Sequence, residues 1–488
     1  MSLAAGLWLG AAAPTPTPLP VPTLPAGPAA VSPAPSASAT ARGLTTDQMT
    51  KIDQIALDAL RDQTVPGISL AIVREGSVVY SRGYGYSSME LQQTARDASL
   101  YELGSISKQF TATAIMLLVG EGRIALDMPL SLFVNDFPRG KDIKLRDLLT
   151  MRSGIPDYTD QPGFDAAVFT PTTPADIIAT VKKLPLDFEP GTRWEYSNTN
   201  YVLLGIVIEK ASGQTYSNYV YQKILRPLNM AATQYGNVGA SSPDLATGYS
   251  FDGAHFKPDK PWDLTWAGSA GGMVSNVLDM AVWDAALREG NVVTLAALRE
   301  MWTMTTLPDG TKVPYGYGWT IESLDGHREI DDNAGLPGYG GRNAEFPNEH
   351  LDIVVLGNSK SFNAGPVVRR ILELFYPPTP DQLAAQRQGD DAALVRARDV
   401  FKRLQSGSLD ASALTPVAAK RLTAKLMSQA KAQLGKLGAP TKFEQTDKYS
   451  LGLETVYSYR LTFKQGQLGF EISLDPTGKI GEVTVVPL

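Results

Sequence analysis

An apolar segment that starts near Ile106 and ends at Gly120 is the feature that most constrains how this chain can fold. From Gln109 onward its large apolar residues recur every three or four positions, the spacing of one face of an α-helix. Gly122 and the stretch Asp127-Met128-Pro129 then end the element. Such a helix needs a core to pack against, and a chain of 488 residues with 43% hydrophobic side chains can supply several. We therefore expect two or three domains, with this amphipathic helix packed into one of them.

A serine and a lysine lie one helical turn apart where this helix begins. In Ser105-Ile106-Ser107-Lys108 the first hydroxyl and the amine fall on the same face. A serine hydroxyl is a poor nucleophile until a base removes its proton, and a lysine kept from water can become that base. Ser105 also lies where the helix dipole favours developing negative charge. The spacing has a purely structural alternative, in which the serine caps the helix and the lysine reaches solvent.

Five other short motifs accompany this tetrad between about Leu44 and Tyr376. In chain order the six motifs are Val65-Pro66-Gly67-Ile68-Ser69-Leu70-Ala71, Gly104-Ser105-Ile106-Ser107-Lys108, the segment 145–156, the block 188–205 around Tyr196-Ser197-Asn198, Ala270-Gly271-Gly272-Met273-Val274-Ser275 and Gly335-Leu336-Pro337-Gly338-Tyr339. In this order they resemble the serine β-lactamase-like family, which contains class C β-lactamases, penicillin-binding proteins, D-alanyl-D-alanine carboxypeptidases, D-amino-acid amidases and β-lactamase-fold esterases. Each motif alone is weak evidence, and the ordered set carries the resemblance.

The resemblance implies an α+β fold of the β-lactamase/penicillin-binding-protein type, in which helices flank an antiparallel sheet and a mostly helical region lies beside it. Strand signals agree with this. Residues 70–73 and 78–84 have the pattern of a hairpin, and we expect it to pair with strands near residues 317–322 and 351–356. The resemblance places the active site between the sheet and the helical region.

The same resemblance implies a role for each polar residue of the motifs. Ser105 corresponds to the nucleophile, and Lys108 and Tyr196 to the pair that accepts its proton. Asn198 would hold the lysine and contact a substrate carbonyl, and the backbone N–H groups of Ser105 and Gly335 would form the oxyanion hole. We expect the Tyr196 phenol to titrate low enough to share the proton with Lys108. Which of the two is the base stays open, because their titrations are coupled.

The third motif departs from the family pattern, which carries Lys-Thr-Gly or His-x-Gly. Alignment on Gly335 puts Asp332 at the basic position, followed by Asn333 and Ala334. A shift by one residue would instead read Asn333-Ala334-Gly335, and we prefer the first register because it needs no deletion. In both registers the cation that meets a substrate carboxylate in β-lactamases is missing. Arg342 is a candidate to restore positive charge.

These residues favour a serine hydrolase that forms an acyl-enzyme with an ester or an amide, in the manner of an esterase, a D-amino-acid amidase or peptidase, or a weak β-lactamase. We expect the substrate to be a small molecule or a peptide without a carboxylate beside the scissile bond. The alternative is a catalytically silent cell-envelope protein that binds peptidoglycan or a protein partner through the same cleft. Trp262, Trp266 and Tyr315 are candidates to line an acyl pocket, although aromatic residues more often belong to the core.

Composition narrows the possible partners. A net charge of −6 without a basic run argues against nucleic acid. The absence of cysteine excludes disulfides and thiolate metal sites, and the histidines, at 255, 327 and 350, lack metal-ligand spacing. We therefore expect neither a metal nor another cofactor. No segment has the roughly 20 consecutive apolar residues of a transmembrane helix, and no pattern predicts the oligomeric state.

Four regions follow from composition. Residues 1–13 resemble the end of a signal peptide, and residues 14–43, rich in Pro and Ala, have the composition of a disordered linker. Together they favour a periplasmic or secreted protein. We assign residues 44–378 to the catalytic domain and residues 379–488 to a small C-terminal α+β domain, cystatin-like in outline. We hypothesise that this last domain packs over the substrate cleft.

Overall fold

A computed structural model describes residues 43–62, 65–237, 242–251, 255–415, 418–419, 423–451, 454–475 and 477–487. The predicted signal-peptide remnant at 1–13, and the predicted linker up to residue 42, lie outside the described residues. The helices of the described part are α1 (Thr46–Asp62), α2 (Ser107–Gly120), α3 (Leu145–Leu149), α4 (Phe164–Ala167), α5 (Pro174–Val181), α6 (Asn198–Ser212), α7 (Tyr216–Val220), α8 (Leu264–Gly271), α9 (Val277–Arg288), α10 (Leu295–Met301), α11 (Gly365–Phe375), α12 (Pro380–Ser406) and α13 (Ala424–Leu434). Within these described ranges, no helix is both long and apolar enough to cross a membrane.

The strands form one large sheet, a separate C-terminal sheet and several small ribbons. They are β1 (Gly67–Arg74), β2 (Ser77–Ser88), β3 (Gln93–Thr94), β4 (Tyr101–Glu102), β5 (Gln234–Tyr235), β6 (Tyr249–Phe251), β7 (Phe256–Pro258), β8 (Met273–Ser275), β9 (Thr305–Thr306), β10 (Lys312–Val313), β11 (Thr320–Leu324), β12 (His327–Leu336), β13 (Tyr339–Phe346), β14 (Leu351–Gly357), β15 (Lys442–Leu451), β16 (Glu454–Phe463), β17 (Gly466–Leu474) and β18 (Ile480–Pro487). The large sheet has the antiparallel order β11-β12-β13-β14-β1-β2-β3. The predicted hairpin is confirmed, and of its expected partners β14 lies beside it while β11 is the opposite edge strand.

Two hydrophobic cores cover the two faces of this sheet. The inner core lies between the sheet and helices α2, α6 and α9, and the outer core lies between the sheet and helices α1 and α11. Strand β1 contributes side chains to both cores, since Leu70 and Ile72 point into the outer core whereas Ala71 and Val73 point into the inner core. Burial on both faces explains why this strand is continuously apolar and does not alternate with polar residues.

Helix α2 runs through the inner core and is buried on nearly all sides. The sequence predicts an amphipathic helix here, but even polar side chains such as Gln109, Thr111 and Thr113 are fully buried. A 3₁₀ turn, Gly104–Ile106, leads directly into the helix. Ser105 lies in that turn and Lys108 in the first turn of the helix, so both are anchored to a largely buried element of the domain.

The C-terminal part has its own core and an antiparallel sheet in the order β15-β16-β17-β18, covered by α12 and α13. Strand β15 contacts α11 and the edge strand β11, and Asn363 donates a hydrogen bond to Asp447 there. These contacts lie on the outer face of the large sheet, whereas α2 lies on the inner face. The hypothesis that this domain covers the substrate cleft is therefore wrong. The domain limits drawn from the sequence remain a prediction.

Candidate active site

The side chains of Ser105, Lys108 and Tyr196 meet at one point between the sheet and the helices. Ser105 Oγ lies 2.7 Å from Tyr196 OH and accepts a hydrogen bond of 3.0 Å from Lys108 Nζ. Ser105 and Tyr196 are partly exposed, whereas Lys108 is fully buried. A substrate can therefore reach the hydroxyl while the amine stays out of water.

Lys108 makes three hydrogen bonds with oxygen atoms. Besides Ser105, its Nζ donates to Asn198 Oδ1 and to the carbonyl of Ala270, each at 2.9 Å. The nitrogen also lies 5.0 Å from the ring centre of Tyr196 and 5.7 Å from that of Tyr201, distances at which a cation is attracted to an aromatic face. Burial disfavours the charged amine and lowers the pKa of Lys108 to about 8, although the carboxylates of Asp332 and Asp157 act in the opposite direction.

Tyr196 differs from the expectation drawn from the sequence. Burial raises the pKa of its phenol well above the usual value, and the negative charge of Asp332 acts in the same direction. The predicted low pKa is therefore wrong, because both burial and the nearby carboxylate disfavour the phenolate. With the pKa of Lys108 lowered and that of Tyr196 raised, the lysine is the group that can lose its proton near neutral pH.

Asp157 is a site residue that the motifs did not reveal. Its Oδ2 accepts hydrogen bonds from both the backbone N–H and the Nδ2 of Asn198, at 3.0 and 2.9 Å. The first bond caps helix α6 from another segment of the chain, and the second turns the amide so that its oxygen faces Lys108. In the sequence, the signal that could have identified Asp157 is that it directly follows the motif 145–156. In the structure it lies at the start of a 3₁₀ turn.

The third motif lies on β12 at the edge of the cleft. Leu103 N–H donates to Met273 O on β8 at 2.9 Å, just before the turn that carries Ser105. The turn also lies so close to β12 that a Cβ on Gly104 would be 2.8 Å from Gly335 N. Gly335 itself is exposed, and a Cβ on it would meet nothing within 4 Å. The turn that carries Ser105 and the backbone of Gly335 therefore border the same open space.

Asp332 faces the inner core, and its neighbour Asn333 faces the other way. Asp332 pairs with Asn343, whose amide reaches Gln109 on α2, and Ala334 packs against the same core. Asn333 lies opposite Arg342 on the outer face. Thus the third-motif side chain on the side of Lys108 is Asp332, and the register of the motif stays a prediction.

Arg342 does not restore positive charge to the cleft. Its guanidinium is buried on the outer face, where it pairs with Glu329 at 3.0 Å and with Asp331 at 2.8 Å. These two acids alternate with Asp332 along β12, so they point away from Ser105. The arginine therefore belongs to a buried ion-pair cluster on the outer face of the sheet, away from Ser105.

The predicted aromatic lining is largely core. Trp266 and Tyr315 are only 9% and 3% exposed, and Trp262 is half-buried with its ring 5.2 Å from that of Phe164. The ring centre of Tyr315 lies 5.8 Å from that of Trp194, two residues before Tyr196 in the chain. In the part of the chain that the structure describes, no cluster of His, Asp and Glu side chains is arranged to hold a metal ion.

The close approach of Gly104 to β12 leads to a testable prediction. Gly104 has φ of +50°, and an added Cβ would meet the nitrogen, carbonyl carbon and oxygen of Gly335 at 2.8 to 3.3 Å. We expect Gly104→Ala to push the serine turn away from β12 and to lower kcat/KM by about 10²-fold, since displacements near 1 Å have effects of that size. Ester turnover measures this effect.

Gly120→Ala is the matched control, because a Cβ there meets nothing within 4 Å and alanine favours helix. The control variant should keep wild-type turnover. Equal turnover in the two variants would contradict the proposed closeness of the turn to β12.

A serine at the start of a central helix, bonded to a buried lysine and a tyrosine beside an antiparallel sheet, defines a serine-hydrolase-like protein. Residues 49–375 match the sequence model of the family Beta-lactamase. The chain belongs to the β-lactamase family, and the fold and resemblance expected from its motifs are confirmed.

Individual relatives agree with this assignment. Protein flp of Staphylococcus aureus (strain N315) is 32% identical over 246 residues, which are 49% of each chain, so this chain spans about half the length of the curated relatives it matches. The D-amino acid amidase from Ochrobactrum anthropi SV3, solved with L-phenylalanine amide, is 27% identical with a TM-score of 0.59, over 68% of this chain and 99% of the amidase. The octameric penicillin-binding protein homologue from Pyrococcus abyssi, 23% identical with a TM-score of 0.61 over 90% of this chain and 98% of its own, shares the fold.

Proposed function

We propose that this chain is a serine hydrolase that cleaves an ester or an amide through an acyl-enzyme on Ser105. The observation that carries the proposal is the 3.0 Å contact between the Ser105 hydroxyl and the amine of Lys108, whose burial lowers its pKa to about 8. Such an amine is close enough and weakly basic enough to exchange a proton with the serine.

In the proposed first step, Ser105 Oγ attacks the substrate carbonyl and its proton moves to Lys108 Nζ. The neutral amine has two N–H groups for the carbonyl oxygens of Asn198 and Ala270, and its lone pair faces the serine hydroxyl. Lys108 then returns the proton to the leaving group, beside which Tyr196 OH lies 2.7 Å from Ser105 Oγ. Water hydrolyses the acyl-enzyme by the reverse proton transfers.

The oxyanion of the tetrahedral intermediate is assigned to the backbone N–H groups of Ser105 and Gly335. Support comes from the close approach of the Gly104 turn to Gly335 N and from the open space beside Gly335. Fixed N–H dipoles in such a site stabilise the charge that develops on the carbonyl oxygen.

The substrate that fits best is an ester or amide without a carboxylate beside the scissile bond. In the preferred register Asp332 is a negative group at the position of the family's cation, and Arg342 is turned away from the cleft. The likeness to a D-amino acid amidase supports an amide or a D-amino-acid derivative over a β-lactam. A periplasmic or secreted location is part of the proposal and is supported by the composition of residues 1–43.

The experiment that tests this function is intact-mass analysis after incubation with a fluorophosphonate, together with turnover of p-nitrophenyl butyrate and nitrocefin. We expect one covalent adduct and ester turnover. Mono-p-nitrophenyl succinate, which carries a carboxylate on a similar acyl chain, should react at least about tenfold more slowly than the butyrate, because like charges at short range in a partly buried site repel each other by more than about 1.4 kcal/mol. A folded protein with neither adduct nor turnover would instead indicate the silent binding protein.

A further inference from the structure

Asp332 is a buried carboxyl group with one oxygen that lacks a hydrogen-bond partner. Its residue is 8% exposed, and Oδ1 accepts the backbone N–H of Asn333 at 2.8 Å. Among the described residues no group donates a hydrogen bond to Oδ2. A carboxylate kept from water in this way costs free energy unless a nearby positive charge compensates for it.

The amine of Lys108 lies on the same side of β12 and acts on Asp332 through space. Its charge lowers the pKa of Asp332 more than that of Arg342, which acts in the same direction from the outer face. All three possible donors of an ammonium group on Lys108 are used by Ser105, Asn198 and Ala270, so none is left for the carboxylate. Attraction between the two groups nevertheless lowers the pKa of Asp332 and raises that of Lys108, in each case against the larger effect of burial.

The three contacts of Lys108 are compatible with two protonation states. As an ammonium it donates to all three oxygens. As a neutral amine it donates to Asn198 Oδ1 and Ala270 O, which cannot donate in return, and accepts the hydrogen of the Ser105 hydroxyl. Only the neutral form can take the serine proton. The local geometry fits both forms, so the surrounding charges decide between them.

The groups that face the amine come from several elements. Tyr196 precedes α6, Tyr201 belongs to it, and each presents a ring face. Both carboxylate oxygens of Asp157 accept hydrogen bonds, one from the backbone N–H of Thr159 and the other from Asn198. Asp332, on β12, holds one bond from its own chain neighbour and is therefore the least compensated negative group around Lys108.

We infer that Asp332 is a positioning residue that favours the protonated form of Lys108 and thereby sets the lower limit of the pH range in which Ser105 is activated. This inference rests on the proposed function. It gives Asp332 an effect on the base in addition to its effect on substrate charge.

The pKa values indicate where this limit lies. Burial raises the pKa of Asp332 to about 6 and lowers that of Lys108 to about 8. Between these values the carboxylate is charged and the amine is protonated. Above about pH 8 the neutral amine predominates, so the wild-type kcat/KM should rise with pH to a plateau above that value.

The test is the pH dependence of p-nitrophenyl butyrate hydrolysis by wild type and Asp332→Asn. Loss of the negative charge removes a stabilisation of the ammonium, so the acid limb should move to lower pH by at least about one unit, which raises relative activity near pH 6.5 about tenfold. Asp332→Glu keeps the charge and should retain the wild-type limb.

Asp284→Asn is the matched control for the loss of a buried carboxyl group. Asp284 is fully buried on α9 and accepts a hydrogen bond from Asn343, and it is not one of the carboxylates that raise the pKa of Lys108. The control should leave the limb in place. A limb that is unchanged or moves upward in Asp332→Asn would overturn the inference.

A second measurement separates this inference from the proposed function. The ε-carbon resonance of Lys108, assigned by its loss in Lys108→Met, reports the titration of the amine in labelled protein without any substrate. Its midpoint should fall in Asp332→Asn by the same interval. If no adduct or turnover is found but the midpoint falls, the proposed function fails and the electrostatic role stands; an unmoved midpoint overturns that role whatever the activity.

Discussion

Replacing Ser105 with alanine is expected to abolish fluorophosphonate labelling and to lower ester turnover by at least about 10³-fold, the scale seen when a catalytic nucleophile is removed. The hydroxyl is partly exposed and lies on a 3₁₀ turn, so its loss leaves no cavity in the core. The unfolding transition of Ser105→Ala should therefore stay close to that of wild type. Intact mass and turnover at equal protein concentration measure the effect.

Ser107→Ala is the matched control because it removes a hydroxyl only two residues away. Ser107 is fully buried, and its Oγ accepts the N–H of Met273 at 3.0 Å, outside the cluster around Lys108. Loss of that bond should lower stability by about 1 kcal/mol and leave labelling intact. An adduct that persists in Ser105→Ala and maps elsewhere would refute the nucleophile assignment.

The polar cluster of the site could be predicted because its members lie in short, ordered motifs. Ser105 and Lys108 are one turn apart, so any helix that starts there brings them together. Tyr196 and Asn198 lie about 90 residues further on, and only the resemblance to a family places them against Lys108. Asp157 escaped prediction because an aspartate at the start of a turn has a local role wherever it occurs, and its bond to Asn198 depends on the tertiary fold.

Strand β15 and the burial of helix α2 on nearly all sides are two features of the fold that were not predicted. The strand Lys442–Leu451 is rich in polar and charged residues, and as an edge strand it pairs with β16 alone. Among the side chains of residues 442–448, which the structure describes, Phe443 is the one apolar side chain, and it enters the C-terminal core. A single apolar residue in seven gives no periodic signal. Helix α2, which the sequence predicts to be amphipathic, also buries the polar residues Thr111 and Thr113. Thr111 donates to Ser269 O at 2.6 Å.

Whether a charged side chain influences Lys108 depends on the face of the sheet to which it points. A short sequence motif does not reveal that face. Arg342 and Asp332 are both charged and lie on neighbouring strands near the cleft. Alternation along β12 and β13 sends the aspartate toward Lys108 and the arginine toward Glu329 and Asp331. The balance of charge around the amine is consequently more negative than the sequence indicates.

Lys108→Met is expected to lower kcat/KM by about 10³-fold while the fold is kept or becomes more stable, since general-base catalysis contributes effects of this size. Methionine fills a similar volume without a charge. The buried amine has a pKa of about 8 in place of the usual 10.5, which costs the folded protein about 3 kcal/mol near neutral pH. Lys108→Met removes that cost and so gains stability. It also leaves Asn198 Oδ1 and Ala270 O without their hydrogen-bond donor, which lowers stability by about 1 kcal/mol each.

The pH dependence of stability distinguishes this explanation from a simple change in packing. Because the folded-state pKa of Lys108 lies below the unfolded value, the cost is fully present below about pH 8 and disappears as the pH rises toward 10.5. In urea unfolding, the stability of Lys108→Met relative to wild type should therefore fall by roughly 2 kcal/mol between neutral pH and about pH 10. Lys51→Met, at an exposed position paired with Asp47, should show no such change and full activity. A difference between Lys108→Met and wild type that is constant with pH would mean that the amine carries no buried-charge cost, and the argument that its burial prepares it to act as the base would fail with it.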